Sequence, residues 1–338
     1  MSLSSSSDPV LVEVLRGDMV ECVHRGAAVV CDASGKVVFS IGDINRAIYP
    51  RSAIKALQAL PLVESGAADR YGFGDAELAL ACSSHGGEPR HVETAAGMLA
   101  KADLTEAALE CGAHWPSGTA ATHALARSGG KPTALHNNCS GKHSGFVCFA
   151  CSQDIDPRGY VGIDHKVQRF VAEAVGEVTG HRLDADTAVG TDGCSIPTFA
   201  IPLNNLAHGF AKLATGEGVG PERAKAFARL RAACAAEPFM VAGSGRFCTD
   251  VMAMFGQRVF VKTGAEGVFC AALPDQGLGV ALKCLDGASR ASEVMMAALI
   301  ARLLPMDEAE AAKFGRFVNP VMKNWNGITV GSLRPTFS

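Results

Sequence analysis

Two short motifs, roughly two hundred residues apart, hold the residue types from which acyl-transfer chemistry is built: Ser52-Ala53-Ile54-Lys55 and Lys262-Thr263-Gly264. A serine hydroxyl is a weak nucleophile until a base takes its proton, and a neutral amine is such a base. Residues three apart on a helix share a face, so Ser52 Oγ and Lys55 Nζ can meet. A second lysine, carried in on a strand, would put two amines beside one hydroxyl and remove any need for histidine. S-x-x-K by itself is weak, because composition alone produces it. Another copy, Ser128-Gly129-Gly130-Lys131, lies in a glycine-rich stretch without apolar periodicity and reads as a loop.

The first copy has a different context. Tyr49-Pro50-Arg51 precedes it, and Ala53, Ile54, Ala56, Leu57, Ala59 and Leu60 follow before Pro61. That pattern predicts a helix starting at Ser52 and stopped by Pro61, with the positive helix end at the serine. The plain alternative, a capping serine and a solvated lysine, leaves the downstream motif unexplained. Residues 258–262 are β-branched and aromatic and predict a strand, 263–267 a turn, and 268–273 and 278–284 returning strands. Strands are also predicted at 10–15, 19–25, 27–31 and 36–41. Strand character extends through 247–286, followed by an apolar helix at 292–304 and a last strand at 325–333. Between them the chain is alanine-rich and mostly helical. The fold expected is α+β: one antiparallel sheet from the two termini (about 9–50 and 240–338) around a helical lobe (about 51–239). It forms a single catalytic unit over 9–338, preceded by a disordered tail, 1–8. Pockets form at such junctions between lobes.

Bulk properties narrow the function. The chain has 338 residues, 48% of them hydrophobic and 19% charged, enough for a large core. A net charge of −3 without basic runs excludes nucleic acid and anionic membrane as main partners, and 6% aromatic content leaves no base-stacking surface. No apolar stretch reaches the ~20 residues of a membrane helix. The polar N-terminus lacks a basic start and an apolar core, so it is not read as an export signal. Twelve cysteines without secretion point to reduced thiols in the cytoplasm. That location favours a metabolite over peptidoglycan or a drug.

Three middle segments are dense in reactive side chains: Cys82-Ser83-Ser84-His85-Gly86-Gly87-Glu88, His136-Asn137-Asn138-Cys139-Ser140-Gly141-Lys142-His143, and Gly190-Thr191-Asp192-Gly193-Cys194-Ser195-Ile196-Pro197. With Arg51-Ser52-Ala53-Ile54-Lys55 they make the chain resemble the rhizobial-type, or class 3, L-asparaginases over nearly its whole length. The resemblance implies a serine β-lactamase-like (penicillin-binding-protein-like) fold, a homodimer, and hydrolysis of L-asparagine to L-aspartate and ammonia. It also implies a Ser52–Lys55 pair and a Ser84–Lys262 pair. One zinc ion would be held by Cys139, Lys142 and Cys194, with Asp192 on a metal-bound water. Arg51, Asn138, His143 and Asp192 would line the substrate. From the residues alone Cys139 and Cys194 read as ordinary buried thiols, since no C-x-x-C joins them and lysine is not a usual ligand. Cys248 reads either as a core thiol or as one activated by Lys262.

The mechanism expected has Lys55, neutralised by burial and by Lys262, taking the proton of Ser52, which attacks the side-chain amide. Backbone N–H groups at Ser52 and just after Gly264 would hold the oxyanion, and Ser84 and Lys262 would relay a proton to ammonia. Three alternatives stand beside it. A serine-dependent glutaminase differs by one methylene in substrate. A β-lactamase or D-alanyl peptidase is disfavoured by Ser83-Ser84-His85, which is not S-x-N. A non-catalytic metabolite or zinc sensor is disfavoured by the intact set Ser52, Lys55, Ser84 and Lys262.

Overall fold

The computed structural model of the protein describes residues 8–337. The chain begins and ends in one eight-stranded antiparallel sheet, as the strand signals at its two ends predict. Its strands are β1 (Val10–Arg16), β2 (Met19–Asp32), β3 (Val37–Ile41), β4 (Phe260–Thr263), β5 (Val268–Leu273), β6 (Leu278–Cys284), β7 (Val321–Lys323) and β8 (Thr329–Pro335). They lie in the order β7-β8-β1-β2-β6-β5-β4, with β3 pairing with β2. The two strands expected at 19–25 and 27–31 are one. Gly26 does not break it, because pairing to β1 ends at Arg25 and pairing to β6 starts at Gly26. β4, which carries Lys262, is an edge strand, in register Lys262↔Cys270 with β5.

Every residue of β5 is buried, which its unbroken apolar run anticipates for a strand covered on both faces. Side chains alternate along β6, so Gly279 and Cys284 face opposite sides. Helix Leu203–Thr215 lies over Gly279, and helix Ser289–Leu303 reaches Gly26, the partner of Cys284, through Met295. The helical lobe contributes helices Asp75–Ala81, Pro89–Ala100, Ser140–Ser152, Lys166–Thr179 and Pro221–Ala236. No helix among the described residues is long and apolar enough to cross a membrane.

Four local expectations change. Residues 247–255 form a helix, not a strand, because Phe247, Val251, Met252 and Phe255 recur at helical spacing and are all buried. Pro61 does not end a helix; it occupies the first turn of helix Leu60–Glu64, where its missing N–H costs nothing. Trp325 is exposed in the turn between β7 and β8 rather than starting a strand. The disordered tail expected at 1–8 lies outside the described residues except for Asp8, which is buried and ion-paired to Arg46 at 2.6 Å.

Candidate active site

Ser52 lies in a 3-10 turn, Arg51–Ile54, and helix Lys55–Gln58 follows directly. Arg51 has φ of 51°, a left-handed conformation that costs a non-glycine residue on the order of 1–3 kcal/mol. The bend lets Ala53 N–H donate to Pro50 O (3.1 Å) and directs the Arg51 guanidinium to Asp192 Oδ1, with Nε at 3.0 Å and Nη2 at 2.8 Å. β4 closes on the same turn. A Cβ on Gly264 would lie 2.7 Å from Pro50 O and 3.1 Å from Ala53 N, so only glycine lets the K-T-G strand approach the serine.

Lys55 is fully buried and makes no hydrogen bond to Ser52 among the described residues. Its ammonium donates to Ser83 O, to Ser84 Oγ (3.1 Å), to Asn138 O (3.3 Å) and to Cys139 Sγ (3.1 Å). The tight turn and this crowd of acceptors draw the side chain inward. Ser52 remains half-buried, and its hydroxyl has no hydrogen-bond partner among the described residues. Lys262, 1% exposed, donates to Ser84 Oγ and to Thr263 O, both at 2.8 Å. Burial, then the charge of Lys55, brings the Lys262 pKa down from 10.5 to about 7. Two lysines therefore flank one serine, as the motifs suggest, but that serine is Ser84.

The Ser84 loop is pinned from three sides. Ser84 N–H donates to Val241 O (2.9 Å) and His85 N–H to Asn138 O (3.2 Å). His85 Nδ1 accepts from Gly87 N–H at 3.1 Å, so Nε2 carries the proton and donates to Ser140 Oγ at 2.9 Å. Burial, with His91 next, holds the His85 pKa well below 6.5, in keeping with that neutral form. Helix Ser140–Ser152 can start here because Gly141 packs on Leu80 O, which a Cβ would approach to 2.3 Å.

That helix start carries Cys139, Lys142 and His143, all buried. Lys142 Nζ donates to Cys194 Sγ at 3.1 Å, and the Cys139 and Cys194 thiols hydrogen-bond to each other. The bond from Cys194, aided by the cations Lys55 and Lys142, outweighs burial and lowers the Cys139 pKa well below 9.0. Cys194, the donor of that bond and also buried, is raised. Burial opposes the Lys142 charge, yet Cys194, Cys139 and Asp192 prevail and raise its pKa. Two soft sulfur donors and an amine, all buried, form a set that suits zinc, provided Lys142 gives up its proton on binding.

His143 shows how the pocket keeps a donor free. Tyr160 Oη accepts from Glu110 N–H at 2.9 Å, so its own proton goes to His143 Nδ1, 2.5 Å away. His143 is thus the Nε2–H form, and that buried nitrogen has no partner. Burial, with Lys142 and Lys55, keeps its pKa well below 6.5. Asn138 contributes its backbone carbonyl to Lys55, while its side-chain oxygen accepts from Cys139 Sγ at 3.3 Å. Asp192 is committed to Arg51, and burial is overcome there to lower its pKa. Tyr160, Ser83, His85 and Ser140 were not singled out by sequence. Ser83, His85 and Ser140 lie inside the reactive segments, which is the signal they offer; Tyr160 has none. Cys248 is buried, which raises its pKa despite Lys262, so it is a core thiol.

Comparison with solved structures finds Mglu in its glutamate form at TM-score 0.47 and 15% identity, over 89% of this chain and 67% of that one. A β-lactamase from Mycobacterium bovis matches at TM-score 0.40 and 16% identity, over 83% of this chain and 95% of that one. Comparison with curated proteins gives no match. The L-asparaginase II family model matches residues 12–335, nearly the whole of the sheet and the helical lobe, so the chain belongs to that family and is an amidohydrolase of the asparaginase type.

Proposed function

We propose that the chain hydrolyses L-asparagine to L-aspartate and ammonia through an acyl-enzyme on Ser52. The observation that carries this reading is the convergence of Lys55 and Lys262 on Ser84 Oγ, beside a turn where the Ser52 hydroxyl is unengaged. Ser52 Oγ attacks the side-chain amide carbon, and its proton passes through Ser84 to the Lys262 amine. The oxyanion is held by the N–H groups of Ser52 and Ala265, neither of which has a backbone acceptor among the described residues. Lys262 then protonates the departing ammonia. It next takes a proton from the water that splits the β-aspartyl ester and returns it, through Ser84, to the departing Ser52 Oγ. Lys55, surrounded by acceptors, orients Ser84, a reversal of the roles expected for the two amines.

Arg51, Asn138, His143 and Asp192 receive the α-carboxylate and α-amino groups, and the free Nε2–H of His143 is the donor best placed for an anionic oxygen. Cys139, Lys142 and Cys194 would hold a zinc ion, which when bound supplies a fixed positive charge for orienting the substrate. The deciding experiment is ammonia release from L-asparagine and L-glutamine side by side, with Ser52→Ala as control. Turnover of asparagine, lost in the variant, is expected; turnover of glutamine alone would make the chain a serine-dependent glutaminase. One observation favours a second nucleophile. Ser84, not Ser52, has the amine of Lys262 within 2.8 Å, so acylation of Ser84 is the competing assignment.

A further inference from the structure

Behind the K-T-G turn lies a second cluster of metal-ligating groups, unrelated to the one above. His24 of β2, Cys284 at the end of β6 and Asp286 just beyond it present Nδ1, Sγ and a carboxylate within 4.8 Å of one another. His24 and Cys284 are buried, while the Asp286 side chain is 48% exposed. Asp286 Oδ2 lies 2.5 Å from His24 Nδ1, and Oδ1 accepts from Cys284 Sγ at 3.0 Å and from Ala288 N–H at 3.0 Å. On the far side of the ring, Arg290 Nε donates to His24 Nε2 at 3.2 Å, and Nη2 to Cys22 Sγ at 3.4 Å.

We propose that His24, Cys284 and Asp286 form a binding site for a zinc-class divalent cation, with solvent in the open position. Imidazole nitrogen, thiolate and carboxylate are the three zinc donor types, and bond lengths of about 2.0–2.3 Å place tetrahedral donors roughly 3.3–3.7 Å apart. The present separations of 2.5 and 3.0 Å must open by less than about 1 Å, which rotation of the exposed Asp286 allows. Arg290 donates to Nε2, so His24 now carries its proton on Nδ1. Metal binding moves that proton to Nε2, releases the Cys284 thiol proton to water, and turns the exposed Arg290 away. Arg290 is therefore an antagonist of the metal.

The position gives the site a consequence. Cys284 N–H donates to Gly267 O at 2.8 Å, Lys283 donates to Glu266 O, and Gly287 lies against Gly267. The segment that would close around the ion supports the turn that follows Lys262-Thr263-Gly264. An ion there would stiffen the strand end carrying Lys262.

The test is equilibrium dialysis of the whole protein against zinc, counting ions per chain. Asp286→Asn is isosteric and exposed; it should hold one ion fewer than the unaltered chain or bind that ion about tenfold or more weakly. Arg290→Ala should bind it more tightly. Replacing zinc by cobalt should add a thiolate-to-cobalt absorption whose intensity falls in Cys284→Ser. None of these residues belongs to the Cys139–Lys142–Cys194 set. If that set holds no metal, the unaltered chain counts one ion and Asp286→Asn none. Equal counts and affinities in the unaltered chain and Asp286→Asn, or no bound ion in the unaltered chain, overturn the proposal.

Discussion

Lys262 Nζ lies 2.8 Å from Ser84 Oγ, and this contact joins the edge strand β4 to the loop that follows helix Asp75–Ala81. The two residues are far apart in sequence and both are buried. Because the amine has no carboxylate partner, burial and the charge of Lys55 depress its pKa to about 7, so near neutrality a large share is free base.

Activity should therefore rise with pH through about 7 and level off above it, since the neutral amine is the working form. Lys262→Met should abolish this limb together with most turnover. Linkage runs the same way. Between about 7 and 10.5 the unfolded chain binds the lysine proton that the folded chain has lost, so the Lys262 contribution to stability grows with pH across that window. A pH–rate profile that stays flat through neutrality would remove Lys262 as the base.

Quenching asparagine turnover and mapping the adduct by mass spectrometry should find the β-aspartyl ester on Ser52. Ser84→Ala should slow turnover about 10²–10⁴-fold while the label still appears on Ser52. A label on Ser84 would transfer the nucleophile to that residue.

Tyr160→Phe removes the hydroxyl that fixes the His143 tautomer. Loss of one ordinary hydrogen bond, about 1 kcal/mol, should raise KM about fivefold with a smaller change in kcat. An unchanged KM would separate His143 from substrate binding.

Gly264→Ala should damage activity more than folding. Its methyl would meet Pro50 O at 2.7 Å, forcing the Ser52 turn and β4 apart at a cost of roughly 1–3 kcal/mol. Steady-state rates and thermal unfolding measured together check this; a fully active variant would mean the turn tolerates displacement.

Chelation, or Cys194→Ala, should strip the zinc proposed for the thiol pair, raise KM and leave far-UV circular dichroism unchanged. An unchanged number of zinc ions per chain together with a normal KM in Cys194→Ala would exclude Cys194 as a ligand.

Periodicity and turn chemistry made the sheet legible. β5 and β6 are apolar runs bounded by Gly-containing turns, and β4 is short and ends in K-T-G. The apolar residues of helix 247–255 are dense enough to satisfy a strand pattern as well, and only packing decides between the two. Among the site residues, Ser52, Lys55 and Lys262 are readable from motif spacing, and Ser84 only through the family resemblance. The pairing among them was not. Spacing fixes which residues can lie on one face of a regular helix, and Arg51 at positive φ replaces that helix with a 3-10 turn.

By itself, then, the sequence determined the strand-bounded architecture, the residue types of an amine-and-serine site and the segments that carry them. Those features follow from local propensity and from motif chemistry. Tertiary structure alone decided that Lys55 turns to Ser84, that Lys262 is the depressed amine, and that Tyr160 leaves His143 with a free donor. Each of these depends on burial and on partners supplied by distant segments, and neither is encoded in the spacing of neighbouring residues.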